Sequence, residues 1–515
     1  MTQTERQEEM GDRVHKSLLN ARVNVVFYFL TLFLAFFSRK IFLDCLGADF
    51  IGLTGTLGNI LGYLNLAELG ISASVGYFLF RPIQSGNRAG IQDILSVLGY
   101  LYSKIGLLIL TVGVLVSLSF PFVFSNTSLG LGIVYFSFYS LLGSALVGYF
   151  INYRQILLAA DQKTYLVAIY TQGATLAKTA LQIFLAYTYK DLYLWVSVEF
   201  VFGLLGCVIL NWKINREYPW LRVNRKNGRA LLSKYPDITG KTRQIFIHKI
   251  KDFLLVKSDE LFIFIFVSLK MVALYGNYLI IVSKLISLFS SITGSIGAGI
   301  GNLVAEGNRP HILRVFWQVT TMQHFIAAFL CFSLYNYLEP FVALWLGDKY
   351  ILDHGILVLL LVFIYITNSR NSVDCFNYAY GLYADVWSAW TELVINLTVT
   401  VIFGLKWGIA GILLGKISSL LAIVVLWKPY YLFHSGFKAS ASSYWAGVSR
   451  NYVISALSIA VPTYILRQTP VSPYQSLVSW MLYASIGTVL FLLLSFPLNL
   501  LFAKGAKDCI RRFLK

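Results

Sequence analysis

Blocks of about 20 consecutive apolar residues recur along nearly the whole chain, and each is as long as a helix must be to cross the roughly 30 Å hydrocarbon core of a bilayer. Inside lipid no water satisfies the backbone, so only helices and closed barrels span it. The blocks are continuous rather than ten-residue alternations, which excludes a barrel. The sequence therefore predicts an all-α polytopic membrane protein. Composition agrees: 57% of the 515 residues are hydrophobic and only 13% are charged, with a mean hydropathy of +0.68, which excludes most soluble enzymes.

Divided at polar punctuation, the runs give about fourteen transmembrane helices. The first six fall at 22–44, 51–80, 98–124, 131–158, 164–188 and 192–212. The next six fall at 245–269, 272–304, 313–338, 354–383, 386–405 and 408–427, and the last two at 451–466 and 477–503. Residues 1–21 are polar and mixed in charge, so no cleavable signal peptide is expected and the first span serves as its own insertion signal. The five cysteines, Cys45, Cys207, Cys331, Cys375 and Cys509, show neither CxxC nor metal-ligand spacing, so neither a disulfide framework nor a metal site is expected.

A net charge of +18 would suggest nucleic acid in a soluble protein, but here topology accounts for it. With the N-terminus inside, most Lys and Arg fall in cytoplasmic segments, nine of them between Lys213 and Arg243. The outside loops hold only Lys190, Lys270, Lys349, Lys406 and Arg467. Both termini are thus expected in the cytoplasm, with the basic segments facing the anionic leaflet of the phospholipid bilayer and no nucleic-acid partner. The outside loops are too short to house extramembrane catalysis, which argues against polysaccharide polymerases, ligases and most membrane glycosyltransferases.

The two halves share a pattern. Ile51-Gly52 opens span two, Gly86-Asn87 closes it and Pro121-Phe122-Val123 follows; Tyr275-Gly276 opens span eight, Gly307-Asn308 closes it and Pro340-Phe341-Val342 follows. The same order at nearly the same spacing points to an internal repeat. The expected organisation is two six-helix lobes in pseudo-twofold repeat plus two C-terminal helices. In residues this is a tail at 1–21, an N-lobe at 22–212, a basic cytoplasmic linker at 213–244, a C-lobe at 245–433, the thirteenth and fourteenth helices within 451–503, and a basic tail at 504–515.

Ionisable groups at membrane depth are costly, so each must snorkel, pair or line a polar cavity. Lys104 and Arg154 lie near cytoplasmic ends and are read as snorkelling. Arg39 and Lys40 are adjacent, 100° apart on a helix, so one of the two points inward. Deeper lie Lys178, Lys257, Asp259, Glu260, Lys284, Arg370, Asp374 and Lys416. Arg370 and Asp374, four apart, can neutralise one another, as can Lys257 and Glu260, three apart. Lys178, Lys284 and Lys416 have no opposite charge at helical spacing, which favours a water-filled cavity with surplus positive charge and an anionic ligand.

Two polar stripes run at helical spacing, Asn65, Glu68 and Ser72 in span two and Glu392, Asn396 and Thr400 in span eleven. They either bond between helices or hold a coupling proton or cation. Glu199 is left without a role. The glycine-rich stretch from Gly294 to Gly301 follows no strand and has no Walker lysine, so it reads as close packing or a bend rather than a nucleotide loop. No catalytic constellation is recognisable, and no cofactor is expected beyond a proton or sodium ion for coupling.

The segments Leu46-Gly47-Ala48-Asp49-Phe50-Ile51-Gly52-Leu53 and Leu66-Ala67-Glu68-Leu69-Gly70-Ile71 resemble the first loop and second helix of Wzx-type bacterial polysaccharide flippases. Asn215-Arg216-Glu217-Tyr218-Pro219-Trp220-Leu221 and Ala273-Leu274-Tyr275-Gly276-Asn277-Tyr278 are similar to such proteins as well. These flippases belong to the multidrug/oligosaccharidyl-lipid/polysaccharide exporter superfamily. The resemblance implies a transporter rather than an enzyme. It would work by alternating access in the bacterial inner membrane, moving undecaprenyl-diphosphate-linked oligosaccharide repeat units (O-antigen or capsule) to the periplasmic leaflet for polysaccharide or lipopolysaccharide biosynthesis. A polysaccharide polymerase and a chain-length regulator are the protein partners it implies. By the same resemblance Arg39 is the first-helix candidate for the diphosphate, and the last two spans form a groove for the lipid tail. Arg39, Lys178, Lys257, Lys284, Arg370 and Lys416 are the candidates for headgroup binding. Glu68, Asp259, Glu260, Asp374, Glu392 and Asn396 are the candidates for coupling-ion binding or gating. The rival within the superfamily is a cation-coupled multidrug extruder, which predicts a cavity dominated by carboxylates. A membrane scaffold and an acyltransferase-like enzyme are the rivals from other classes.

Overall fold

The computed structural model describes residues 3–65, 78–79, 82–83, 85–125, 127–161, 163–234, 258–293, 300, 303–304, 307–382 and 385–506. Glu68, Ser72, Lys257 and most of the glycine-rich stretch lie outside them. Among the described residues every regular element is a helix. The chain divides into two compact units, Met1–Ile265 and Phe266–Lys515, the division falling inside the seventh expected span.

The first unit contains α1 (Gln3–Leu46), α2 (Ala48–Leu64), α3 (Arg88–Ser117), α4 (Leu131–Phe150), α5 (Thr164–Thr188) and α6 (Leu192–Glu217), with a further helical segment at 258–265. Helix α1 packs on α5, α5 on α6, and α4 on both α3 and α6. The second unit contains α7 (Leu269–Thr293), α8 (Arg309–Leu346), α9 (His354–Ser369), α10 (Val386–Trp407), α11 (Ile409–Ser419), α12 (Ala441–Arg467) and α13 (Leu477–Phe502). Helix α8, 38 residues long, is its spine and packs on α9, α12 and α13.

Ten helices among the described residues are long and apolar enough to cross a membrane. Helices α6 and α13 have a hydropathy of 2.1 yet only 11% and 17% of their apolar windows buried within the protein. Phe33, Phe122, Tyr187 and Val478 are each at least 70% exposed. Apolar surface of this kind is stable against lipid, not water. The protein is a multi-pass membrane protein with lipid-facing apolar walls.

Helix starts depart from the hydropathy boundaries where a cap sets them. Helix α3 begins at Arg88 rather than 98, because the Asn87 side chain accepts from the Gly90 N–H at 2.9 Å. Helix α8 begins at Arg309 rather than 313, because Asn308 accepts from the His311 N–H at 3.2 Å. The two caps are nearly superposable in torsion, φ −77° and ψ 86° against φ −77° and ψ 88°, and each follows a glycine in the left-handed region, Gly86 at φ +65° and Gly307 at φ +73°. The Gly-Asn motif of the repeat is therefore a helix-start device used in both units. The Pro-Phe-Val motifs diverge: Pro121 opens a separate short helix, Phe120–Val123, whereas Pro340 sits inside an uninterrupted α8.

The basic linker is folded over residues 218–234. Gln92 Nε2 donates to the Trp220 carbonyl at 2.8 Å, the Asn224 N–H donates to Ser96 Oγ at 3.1 Å, and Lys234 pairs with Asp93 at 3.0 Å. The Arg225 guanidinium donates to the Phe150 carbonyl and lies 4.7 Å over the Tyr153 ring. This segment is thus strapped to α3 and the end of α4 rather than forming a free polybasic arm.

Helices α10 and α11 pack backbone to backbone. The turn between them is Gly408, at φ +56°, and α11 then presents Gly411 and Gly415, four apart on one face. A Cβ at Gly411 would sit 2.1 Å from the Phe403 carbonyl oxygen, and one at Gly415 would sit 2.1 Å from Thr400 Oγ1 and 2.9 Å from the Asn396 carbonyl oxygen. Small residues at this spacing let helix backbones touch in lipid, where no hydrophobic force drives them together. Gly415→Ala is expected to lower the stability of the detergent-solubilised protein by about 1–3 kcal/mol through overpacking. Gly58→Ala, at a helical site with nothing within 4 Å, serves as the neutral control. Equal unfolding midpoints for the two variants would contradict this packing.

Candidate functional site

Lys178 on α5 meets Glu199 on α6, Nζ to Oε1 2.5 Å, with both side chains about four-fifths buried at 19% and 21% exposure. Gln182, one turn along from Lys178, donates from Nε2 to the other Glu199 oxygen at 3.1 Å and to the Trp195 carbonyl at 3.2 Å. Trp195 is itself clamped edge-on by Phe42 and Phe50, each with ring centroids 5.5 Å away. Lys178 therefore has a counter-charge. Its counter-charge is on the neighbouring helix, 21 residues along the chain, where spacing within one helix does not reveal it.

On α2, Thr56 and Asn59 are three apart and buried, and Asn59 Nδ2 donates to Glu260 Oε2 at 2.6 Å. Asp259 beside it is only 5% exposed. Glu260 is thus tied to α2 inside the first unit. Asn65, at the end of α2, accepts from the Tyr149 hydroxyl at 3.0 Å, so that member of the first polar stripe bonds between helices. Arg39 is half-buried on α1 while Lys40 is exposed, so Arg39 is the inward member of the pair.

In the second unit the stripe on α10 turns entirely inward: Glu392, Asn396 and Thr400 are 5%, 2% and 1% exposed. Thr400 Oγ1 donates to the Ile412 carbonyl at 3.5 Å, and Asn396 Nδ2 has no hydrogen-bond partner among the described residues. Lys416, the residue after Gly415, is 7% exposed, with its ammonium 4.8 Å over the Phe363 ring of α9. The close α10–α11 contact made by the glycines carries Lys416 into the protein interior. Lys284 is half-buried on α7. Arg370 and Asp374 form the expected pair, Nε to Oδ2 3.0 Å, at the break between α9 and the short helix Asn371–Ala379. At about one-third exposure that pair contributes little to stability.

Further polar pairs lie outside the candidate set. Buried His324 bonds through Nδ1 to the Tyr365 hydroxyl at 2.8 Å, joining α8 to α9, and Asn336 Nδ2 donates to Thr463 Oγ1 at 2.9 Å, joining α8 to α12. In the turn before α5, Lys163 sits between Asp161 at 2.8 Å and Glu217 at 3.0 Å. Burial alone would lower its pKa, but the two carboxylates outweigh burial and hold the ammonium above the ordinary lysine range. Tyr218 beside it is pushed up by burial and by donating to the Asp161 carboxylate at 2.7 Å. No group of three or more potential metal ligands occurs among the described residues.

Helix content, lipid-facing walls and buried polar side chains define a polytopic membrane protein built from two all-helical units. Solved structures of similar fold include a lipid flippase and a multidrug transporter. The lipid II flippase MurJ, in an inward closed conformation, is similar over 96% of this chain and 100% of that one, with a TM-score of 0.65 at 14% identity. An inward-facing multidrug resistance transporter of the MATE family, within the MOP superfamily, is similar over 80% of this chain and 95% of that one, with a TM-score of 0.59 at 14% identity. A MATE protein in a bent conformation is similar over 83% and 97%, with a TM-score of 0.50 at 13% identity. No protein-family model and no curated protein sequence matches the chain.

Removing Lys178 strands a mostly buried carboxylate. Lys178→Met is therefore expected to cost about 2 kcal/mol, and Lys178→Met with Glu199→Leu to recover most of it. Thermal unfolding in detergent measures both. A double variant as unstable as the single one would contradict a mainly pairwise role.

Proposed function

We propose that this chain is an alternating-access flippase that moves undecaprenyl-diphosphate-linked oligosaccharide units across the bacterial inner membrane. The observation that carries this reading is the extent of the likeness to a lipid II flippase, which takes in 96% of this chain, against 80% for the inward-facing multidrug transporter. A lipid-linked diphosphate is a compact anion with a long apolar tail, and a helical protein that moves one must offer buried cations and lipid-facing grooves. Arg39, Lys178, Lys257, Lys284, Arg370 and Lys416 are the headgroup candidates in this reading, with Lys178 also paired to Glu199 and Arg370 to Asp374. The tail groove is assigned to α12 and α13.

The second reading, a cation-coupled multidrug extruder, is favoured by two buried carboxylates, Asp259 and Glu392, each 5% exposed. Such a protein would use them as proton or sodium sites. Depleting the protein separates the readings. The flippase reading predicts accumulation of undecaprenyl-diphosphate glycan with loss of surface polysaccharide, and complementation by Arg39→Gln or Lys416→Gln reduced at least tenfold at equal protein abundance. An unchanged lipid-linked pool, together with raised retention of cationic drugs, would overturn it in favour of the extruder.

A further inference from the structure

After α13 the chain turns at Gly505, φ +89°, and lies directly on α8: a Cβ there would be 3.0 Å from the Gln318 nitrogen. The turn is fixed by Thr321 Oγ1, which donates to the Lys504 carbonyl at 2.9 Å. It places the Lys504 ammonium 4.3 Å over the Trp317 ring. Arg314, one turn before Trp317 on α8, is exposed and has no side-chain partner among the described residues. Between them lies a cleft of about 460 Å³ with Trp317 and Phe433 on its walls, Ser443 among its lining residues, and no lining carboxylate among the described residues. Arg450 stands close by, its guanidinium 3.5 Å from the Phe502 carbonyl.

Lys504 over the Trp317 ring and Arg314 on the same cleft, with no counter-ion among the described residues, make a site for an anion that carries an apolar part. We propose that this cleft binds a phosphate ester, the anion between Arg314 and Lys504 and the apolar portion against Trp317 and Phe433. The cleft adjoins the end of α13, where Leu501 and Phe502 are 66% and 55% exposed, so a phospholipid can reach it headgroup-first from the bilayer. A soluble phosphate ester presents the same chemistry from the water side. Burial, and then the charge of Arg450, holds Lys504 below the ordinary lysine range, and a bound anion would offset both effects. The site lies wholly within the second unit and is independent of which cargo the protein moves.

The test uses the full-length protein in detergent, with phosphatidylglycerol, phosphatidylcholine and glycerol 3-phosphate as separate probes. Lipid retention by native mass spectrometry and shifts in the unfolding midpoint are the readouts. Phosphatidylglycerol is expected to be retained and to stabilise the protein, with affinity falling about tenfold or more in Arg314→Gln/Lys504→Gln, the loss expected from removing charge-assisted contacts. Arg314→Lys/Lys504→Arg should keep most of the binding, and Lys349→Gln/Lys406→Gln should leave it unchanged. Variant-sensitive stabilisation by glycerol 3-phosphate, with phosphatidylglycerol no better than phosphatidylcholine, would support the cleft and assign its ligand to the water side. A double-glutamine variant that elutes as the wild type and binds all three probes as tightly would overturn the proposal.

Discussion

A polar side chain inside a bilayer has no water to fall back on, so it must find its partner within the protein, and this constraint organises the structure. Lys178 finds Glu199, Asn59 finds Glu260, His324 finds Tyr365, and Asn336 finds Thr463, each joining two elements within one unit. Lipid tails are as apolar as leucine, so burying apolar area does not by itself bring such helices together. Specific polar contacts and close backbone packing do that. Each of these bonds fixes which helix lies beside which, and so places the remaining buried charges.

The α10–α11 pair shows how packing and chemistry are coupled. Gly411 and Gly415 allow the two backbones to touch, with Glu392, Asn396 and Thr400 turned inward and Lys416 seated over the Phe363 ring. In the proposed alternating-access reading, a buried cation and a buried carboxylate lie on two helices in direct backbone contact. A modest change in helix packing changes what those groups face, and with it their affinity for an ion or an anionic headgroup. In the proposed reading, that chemistry serves transport.

Much of the fold was legible because lipid forces a simple rule on the sequence: a run long enough to span must be helical. The run at 164–188 coincides with α5, and the Gly-Asn pairs at Gly86 and Gly307 mark true helix starts. Hydropathy was blind to the amphipathic first turns of α3 and α12, which begin at Arg88 and Ala441, ahead of the apolar core of each run. The site was less legible. Spacing along one helix revealed Arg370 with Asp374, but Lys178 with Glu199 and Asn59 with Glu260 are set by the neighbour a helix packs against, which periodicity does not encode. The cleft at Arg314 and Lys504 joins residues far apart in sequence and was equally hidden.

The central claim, movement of a diphosphate-linked lipid, is tested most directly with purified protein in proteoliposomes carrying a fluorescent undecaprenyl-diphosphate oligosaccharide in one leaflet. The account predicts protein-dependent transfer of the label to the opposite leaflet, competed by unlabelled lipid-linked oligosaccharide and absent from protein-free vesicles. Label that stays in its original leaflet, in vesicles where the same protein drives ion-dependent movement of a cationic drug, would contradict it.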